Sequence, residues 1–362
     1  MKSILGYFVC LFWLAACGGG ESEPVIEGCD YSEGQKAPAI TGVVYHDLDL
    51  SDLSLYEAGY HRGDAFDVER EVVLRGSSGM RTFFTCEDGF FAFGELAPGL
   101  YHVGPELISE EWTASKNLAS RLVSALDGGS VKMVTIGDSL PVWGGSPRFP
   151  ALVAERLGEL AVVESINAAE AGTESADWIP GMRRFEELRD DFASADLILI
   201  SLGGNDVLYF ANDKFQAGDI DGLFNGLNDF VLIVLERVRA IVAEIRAENP
   251  DVDVAYLLYP NYGRSDAWAY WIGEALQPTI IAKLGEAIEL IRSSITYEDR
   301  LLLVDLYSAW ADVATLDDLL VDELHFNAVG HDWVADEFLQ SFGCARIGGG
   351  SFGQSKHYGI VR

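Results

Sequence analysis

The sequence predicts a doubly wound α/β domain built on a five-stranded parallel sheet, preceded by a small all-β sandwich module. Three observations carry this. Residues 40–104 hold short apolar runs separated by turn residues. From Val131 onward short apolar runs alternate with amphipathic helical stretches, the pattern of strands covered on both faces by crossover helices. The length of 362 residues accommodates about two domains. Composition agrees, since 49% hydrophobic and 23% charged residues suit a packed core rather than disorder or a disulfide-dense scaffold. Charge is the outlier: 25 Lys+Arg against 57 Asp+Glu give −32, which repels a phosphate backbone and argues against a nucleic-acid partner.

At the amino terminus, Lys2 precedes an apolar run from Ile4 to Ala16. That run is shorter than the about 20 residues that span a bilayer, so it reads as a secretory signal. It ends Leu14-Ala15-Ala16-Cys17, which resembles the lipobox of bacterial lipoproteins, and Gly18-Gly19-Gly20-Glu21-Ser22-Glu23-Pro24 follows as a flexible tether. The resemblance implies a signal peptide over 1–16, a lipid on Cys17 and a tether over 17–39. The expected location is the bacterial cell envelope, exported and lipid-anchored at the outer membrane. Of five Cys, Cys10 lies in the signal and Cys17 takes the lipid. Cys29, Cys86 and Cys344 then leave one disulfide and one thiol, with Cys29–Cys86 the first choice because both fall in one module. No Cys-x-x-Cys or His cluster suggests a metal, and no cofactor is expected.

Within residues 40–104, strands are expected at Ile40 to Tyr45, Glu71 to Leu74, Arg81 to Thr85, Phe90 to Phe93 and Tyr101 to Val103. Asp88-Gly89 and Pro98-Gly99 supply turns. The Asp88-Gly89-Phe90-Phe91-Ala92-Phe93 hairpin followed by Leu96-Ala97-Pro98-Gly99-Leu100-Tyr101 resembles the prealbumin-like sandwich modules of bacterial surface proteins, which implies a cell-surface ligand. Some such modules bind calcium where Asp47, Asp49 and Ser51 stand, but Asp52 occupies a position that needs Gly in a calcium loop of the EF-hand kind, so a solvated acidic loop is the plainer reading.

A linking helix is expected within 105–130, ended by Asp127-Gly128-Gly129. The α/β domain then covers 131–345, with buried strands at Val131 to Ile136, Ala161 to Ile166, Asp196 to Ser201, Val252 to Tyr259 and Leu301 to Leu306, and a Gly-rich tail covers 346–362. Leu227, Phe230, Val231, Val234, Val238, Ile241, Val242 and Ile245 repeat at helical spacing before Asn249-Pro250 stops the helix; this stripe reads as core without functional meaning.

In a doubly wound sheet, ligands sit beyond the carboxyl ends of the strands. Gly137-Asp138-Ser139-Leu140 follows the first strand, Gly172 the second, Gly203-Gly204-Asn205-Asp206 the third and Asp322-Glu323-Leu324-His325 the fifth. A Ser hydroxyl attacks an acyl carbon only when a base takes its proton and donors hold the oxyanion. Ser139, in a Gly-containing turn after a buried strand, is the nucleophile candidate. Of six His, four fall in the β module or the tail, leaving His325 and His331. His325 is preferred as base because Asp322, three residues earlier, can fix its tautomer, whereas His331 is expected on a helix without such a partner.

These blocks, in this order and after these strands, resemble the SGNH (GDSL) hydrolase family across residues 130–342. The resemblance implies a flavodoxin-like fold with Ser139 as nucleophile, His325 as base and then acid, and Asp322 orienting it. Ser139 and Gly172 would give backbone N–H groups, and Asn205 its amide, to the oxyanion hole. The block around Gly172 is the loosest match, and Phe326 stands where Pro is common after the His. Gly349-Gly350-Ser351-Phe352-Gly353 formally matches a different hydrolase elbow, but neither a preceding strand nor a following acid accompanies it. Aromatics of 259–271, with Trp143 and Tyr209, are candidates to line the cleft. The expected activity is hydrolysis of an oxygen ester, of an acetylated glycan or a lipid. The alternatives are acyl transfer to a cell-envelope glycan, or a surface-binding lipoprotein whose α/β domain is a relic.

Overall fold

The structure is a computed structural model. It describes residues 6–12, 40–47, 65–66, 71–76, 79–84, 90–93, 99–105, 129–266, 275–295, 299, 301–310, 317–342, 344–347 and 358–361. The chain divides into two compact units, one of Met1–Ser120 with Phe342–Arg362 and one of Arg121–Ser341.

Among the described residues of the first unit all strand pairing is antiparallel. Ile40–Asp47 pairs with Gly6–Phe12, Ala65–Phe66 and Phe90–Phe93, and Gly6–Phe12 also pairs with Tyr358–Val361. A second sheet runs Cys344–Ile347, Gly99–Pro105, Glu71–Gly76, Gly79–Phe84. Val72, Val73, Leu74, Tyr101 and Val103 are buried in it. Cys344 is a buried free thiol, which burial pushes up to about 12. Cys17, Cys29, Cys86, Asp49, Ser51, the linker over 106–128 and Gly349 to Gly353 lie outside the described residues.

The second unit holds five parallel strands, β1 (Ser130–Gly137), β2 (Val162–Asn167), β3 (Leu197–Ser201), β4 (Asp253–Leu258) and β5 (Leu301–Asp305), in the order β5-β4-β3-β1-β2. The main helices are α1 (Phe149–Leu157), α2 (Gly204–Gln216), α3 (Ile220–Glu248), α4 (Gln277–Ser294) and α5 (Ala328–Ser341). Every residue of β3 and β4 is buried, which is why Leu197-Ile198-Leu199-Ile200 and Val254-Ala255-Tyr256-Leu257-Leu258 read as unbroken apolar runs.

β2 departs from the expectation of burial on both faces. It is an edge strand paired with β1, and Val162 is 75% exposed. This strand order reverses direction between β1 and β3, the switch point beyond which such sheets bind ligands.

α3 buries Leu223, Leu227, Val231, Val234, Leu235, Val238, Ile241, Val242 and Ile245, while Phe230 is half-buried and stacks on Phe210 with ring centroids 4.4 Å apart. Asp219 caps its start by accepting from Gly222 N–H at 2.9 Å. At its end Asn249 does more than stop the helix. Its buried Nδ2 donates to Phe192 O and Ala195 O, both at 2.8 Å, and so anchors the turn that feeds β3. Arg156 of α1 is buried and reaches two carboxylates of α5, Asp332 and, at 2.7 Å, Asp336, which fixes α5 against α1.

Asn249→Ala leaves the buried Ala195 carbonyl without its donor, while Phe192 O keeps Ala195 N–H at 3.3 Å, and one such unpaired group costs about 1–3 kcal/mol. Urea unfolding should show a loss in at least that range; a change under 0.5 kcal/mol would remove the anchoring role.

Candidate active site

Ser139 sits in the turn that leaves β1. Gly137 allows this turn to lie close to β3, since a Cβ there would stand 2.5 Å from Ser201 O, and the next residue, Asp138, donates its N–H to that carbonyl at 2.9 Å. The N–H groups of Val142 and Trp143 both donate to Ser139 O, closing the turn. Asp138 is buried beneath it. Its carboxylate accepts from Leu140 N–H at 3.1 Å and from the Tyr259 hydroxyl at 2.6 Å. Burial raises the Asp138 carboxyl to about 6 against the pull of those two donors.

His325, the candidate base, comes from the loop before α5. Asp322 Oδ1 accepts the N–H groups of Leu324 at 2.9 Å and His325 at 2.7 Å, a local turn that folds the carboxylate back onto its own loop. His325 Nδ1 then lies 2.8 Å from Asp322 Oδ2, and His325 Nε2 lies 2.9 Å from Ser139 Oγ. With Nδ1–H donated to the carboxylate, Nε2 carries the lone pair that accepts from the Ser139 hydroxyl. Burial works to raise the Asp322 carboxyl, but the two N–H groups and the imidazole outweigh it, so its pKa falls below the ordinary value. The carboxylate is therefore ionised when an imidazolium forms beside it.

Contacts that the sequence reading missed hold this loop. Phe326, which stands where Pro is common, is fully buried and packs against Tyr262, Trp310 and Trp333. Asn327 Oδ1 accepts from Val329 and Gly330 N–H at the start of α5, and Asn327 Nδ2 donates to Asp318 O at 2.8 Å. Gly144 and Gly145 let the Ser139 loop rest on the His325 loop. Gly145 N–H donates to Phe326 O at 2.8 Å, while a Cβ at Gly144, where φ is +91°, would come within 2.1 Å of the same oxygen. The Gly-Gly pair after Trp143 was the available signal. Trp143 itself stacks on His325 with centroids 5.4 Å apart and remains 56% exposed.

His331 lies on α5 as expected and is buried between backbone groups. Its Nε2–H donates to Trp143 O at 3.0 Å and its Nδ1 accepts from Phe149 N–H at 3.4 Å. Burial lowers it to about 4, so it is neutral at ordinary pH and pins the same loop.

On the opposite side, Gly172 adopts φ +85°, and its carbonyl accepts from the Tyr209 hydroxyl at 3.3 Å. Asn205 Nδ2 donates to Thr173 O at 2.9 Å. An amide carries two N–H donors, so one is left for a ligand. Thr173 Oγ1 reaches back to Gly137 O at 3.1 Å, and Asp206 accepts from Ser175 N–H at 2.8 Å and from Arg237 at 3.0 Å. The loop bearing Gly172 is thereby tied both to the Ser139 turn and to α2 and α3. An apolar cavity of about 120 Å³ opens beside Ser139 and Asn205, and Leu227, Val231 and Val234 line it; the α3 stripe read as core alone also walls this space. The aromatics of 267–271 lie outside the described residues. Among the described residues, no group of three His, Cys, Asp or Glu is placed to hold a metal.

A hydroxyl, an imidazole and a carboxylate in one line, beyond the carboxyl ends of a flavodoxin-ordered sheet, define an SGNH-type α/β hydrolase. The sequence model described as the GDSL-like lipase/acylhydrolase family matches residues 135–333, more than half of the chain, and the protein belongs to that family. Among solved structures it is similar to the lipase Lip_vut3 from a goat rumen metagenome, at 18% identity and TM-score 0.45 over 58% of this chain and 97% of that one. It is also similar to an acetyl xylan esterase, Axe2, from Geobacillus stearothermophilus, at 20% identity and TM-score 0.40 over 60% and 97%. Phospholipase A1 from Streptomyces albidoflavus NA297 matches at 19% identity and TM-score 0.43 over 56% and 94%. No curated protein matches the sequence.

Because the folded state favours protonated Asp138, the folded protein binds more protons than the unfolded chain between the ordinary carboxyl value of 3.8 and about 6. That contribution to stability is present at low pH and lost as pH rises through about 6. Asp138→Asn removes it. Urea unfolding of both proteins at pH 4 and pH 7.5 should show wild type losing roughly 2–4 kcal/mol relative to the variant on going up in pH; an unchanged difference would mean that Asp138 ionises normally.

Proposed function

We propose that this protein is a serine ester hydrolase that works through an acyl-enzyme, with Ser139 as nucleophile, His325 as base and then acid, and Asp322 orienting and charging that base. The observation that carries the proposal is the unbroken line Asp322–His325–Ser139 at 2.8 and 2.9 Å. Ser139 Oγ bonds to the ester carbonyl carbon as its proton passes to His325 Nε2. The oxyanion draws on the N–H groups of Ser139 and Gly172 and the Asn205 amide. The C–O bond to the alcohol breaks as His325 returns the proton to the leaving oxygen. Water then attacks the acyl-enzyme, giving its proton to His325, and the acid leaves as Ser139 regains a proton.

The same reading makes the substrate an acetylated glycan or a lipid ester, and puts the enzyme at the cell envelope, exported and anchored by a lipid on Cys17, with residues 1–16 and therefore the strand Gly6–Phe12 removed from the mature protein. The lipobox-like Leu14-Ala15-Ala16-Cys17 supports the anchor. Among the described residues no helix is long and apolar enough to cross a membrane. Membrane fractionation of Cys17→Ser tests this, since an unanchored variant is expected and an anchored one overturns it.

Turnover of p-nitrophenyl esters tests the catalytic assignment. Asn205→Ala should lower kcat by about 10²- to 10³-fold, the usual loss on removing one oxyanion donor, and Ser139→Ala should lower it further. A folded Asn205→Ala enzyme with undiminished kcat would show that the amide faces no oxyanion.

A further inference from the structure

We propose that the cavity beside Ser139 receives the acyl chain of the substrate, so that this enzyme selects acyl groups of about six to eight carbons over acetyl. The inference rests on the serine-esterase reading above and adds to it the identity of the acyl part. Ser139, Asn205 and Leu324 are among the residues that line the cavity, so it reaches the hydroxyl from which an acyl carbon would be attacked. Two facing helices supply much of the wall, Leu227, Val231 and Val234 of α3 and Ala287, Ile288 and Ile291 of α4, with Val207 of α2 and Tyr256 and Leu258 of β4 beside them.

Each set recurs at three- and four-residue spacing, so each is a helical stripe turned toward the other. Facing stripes ordinarily interdigitate until no void remains. Here Leu227, Val231 and Ala287 are buried against one another, yet about 120 Å³ stays open where they meet the end of the sheet. Ala287, with one methyl group, is the small residue of the α4 stripe. Leu at that position would be the ordinary choice for a closed core.

Size and lining identify the occupant. An aliphatic cavity of about 150 Å³ stays dry and takes benzene, so a space of 120 Å³ holds about five carbons. With the carbonyl carbon and its neighbour beside Ser139, the whole acyl group is about six to eight carbons long. Sugars and charged groups find few polar partners along these walls. An acetyl group ends beside Ser139 and leaves the cavity unfilled. Burying one CH₂ is worth about a fourfold change in binding, so the gain from acetyl to hexanoyl is about 10²-fold.

The test is kcat/KM of the full chain on p-nitrophenyl acetate, butyrate, hexanoate and octanoate. The expected result is a rise of about 10²-fold from acetate to hexanoate, and a collapse of the hexanoate-to-acetate ratio to within about threefold of one in Ala287→Phe, which fills the cavity. Should that variant fail to fold, inhibition of the wild type decides: hexanoate should compete with substrate at a Ki at least about tenfold below that of acetate. Turnover of acetate without a rise along the series, or equal inhibition by the two acids, overturns the assignment and leaves the esterase standing. Failure to turn over any ester overturns the esterase and the acyl cavity together.

Discussion

The hydrogen bond between Ser139 and His325 joins residues 186 positions apart in the chain, and most of the surrounding architecture serves to make it. Both residues lie beyond the same end of a parallel sheet, one in the turn after β1 and the other in the loop that precedes α5. Bringing two loops within 2.9 Å requires that backbone approach backbone, and Gly144 and Gly145 provide this where any Cβ would strike Phe326 O or Ala328 N at 2.1 Å. His331, kept neutral by burial, bridges the same two segments from below. Phe326 locks the His325 loop into an aromatic cluster. Fixing the geometry before substrate arrives is what makes such hydrogen bonds useful for catalysis, because no reorganisation remains to be done during the reaction.

The same economy governs the charges. Four carboxylates near the site differ in what surrounds them. Asp322 is ionised and paired with the imidazole. Asp138 is buried under the Ser139 turn, where Tyr259 and Leu140 hold it. Asp206 is buried and engaged by Ser175 and Arg237, which fastens the loop bearing Gly172 to α3. Glu174 has a raised pKa, through burial and then through repulsion by Asp206 and Asp177. In a chain of net charge −32, hydrogen-bond or charge partners hold Asp322, Asp138 and Asp206, whereas burial and like charge push Glu174 toward its neutral form.

Much of this was legible in the sequence, and the reason is local. Leu197-Ile198-Leu199-Ile200 must be a buried strand, and a Gly-Asp-Ser turn after one such strand with Asp-x-x-His after another restricts the chemistry severely. What was not legible depends on packing across the chain. Ala161 to Ile166 looks like the other strands, yet edge position leaves Val162 in solvent. The Gly144-Gly145 pair signals only a close approach and Phe326 signals nothing, because what they touch is settled only where two distant loops meet. The α3 stripe is indistinguishable from ordinary core until α4 is placed opposite it, and only then does Ala287 leave a space.

The central claim is that the Asp322–His325 pair activates Ser139 in particular among the chain's hydroxyls. The most direct measurement is the site and rate of phosphonylation by an alkyl fluorophosphonate, read by mass spectrometry of the digested protein. The account predicts modification at Ser139 alone, and a loss of labelling in a folded His325→Ala variant. Labelling of other serines at the same rate, or of Ser139 at an unchanged rate without His325, would contradict it.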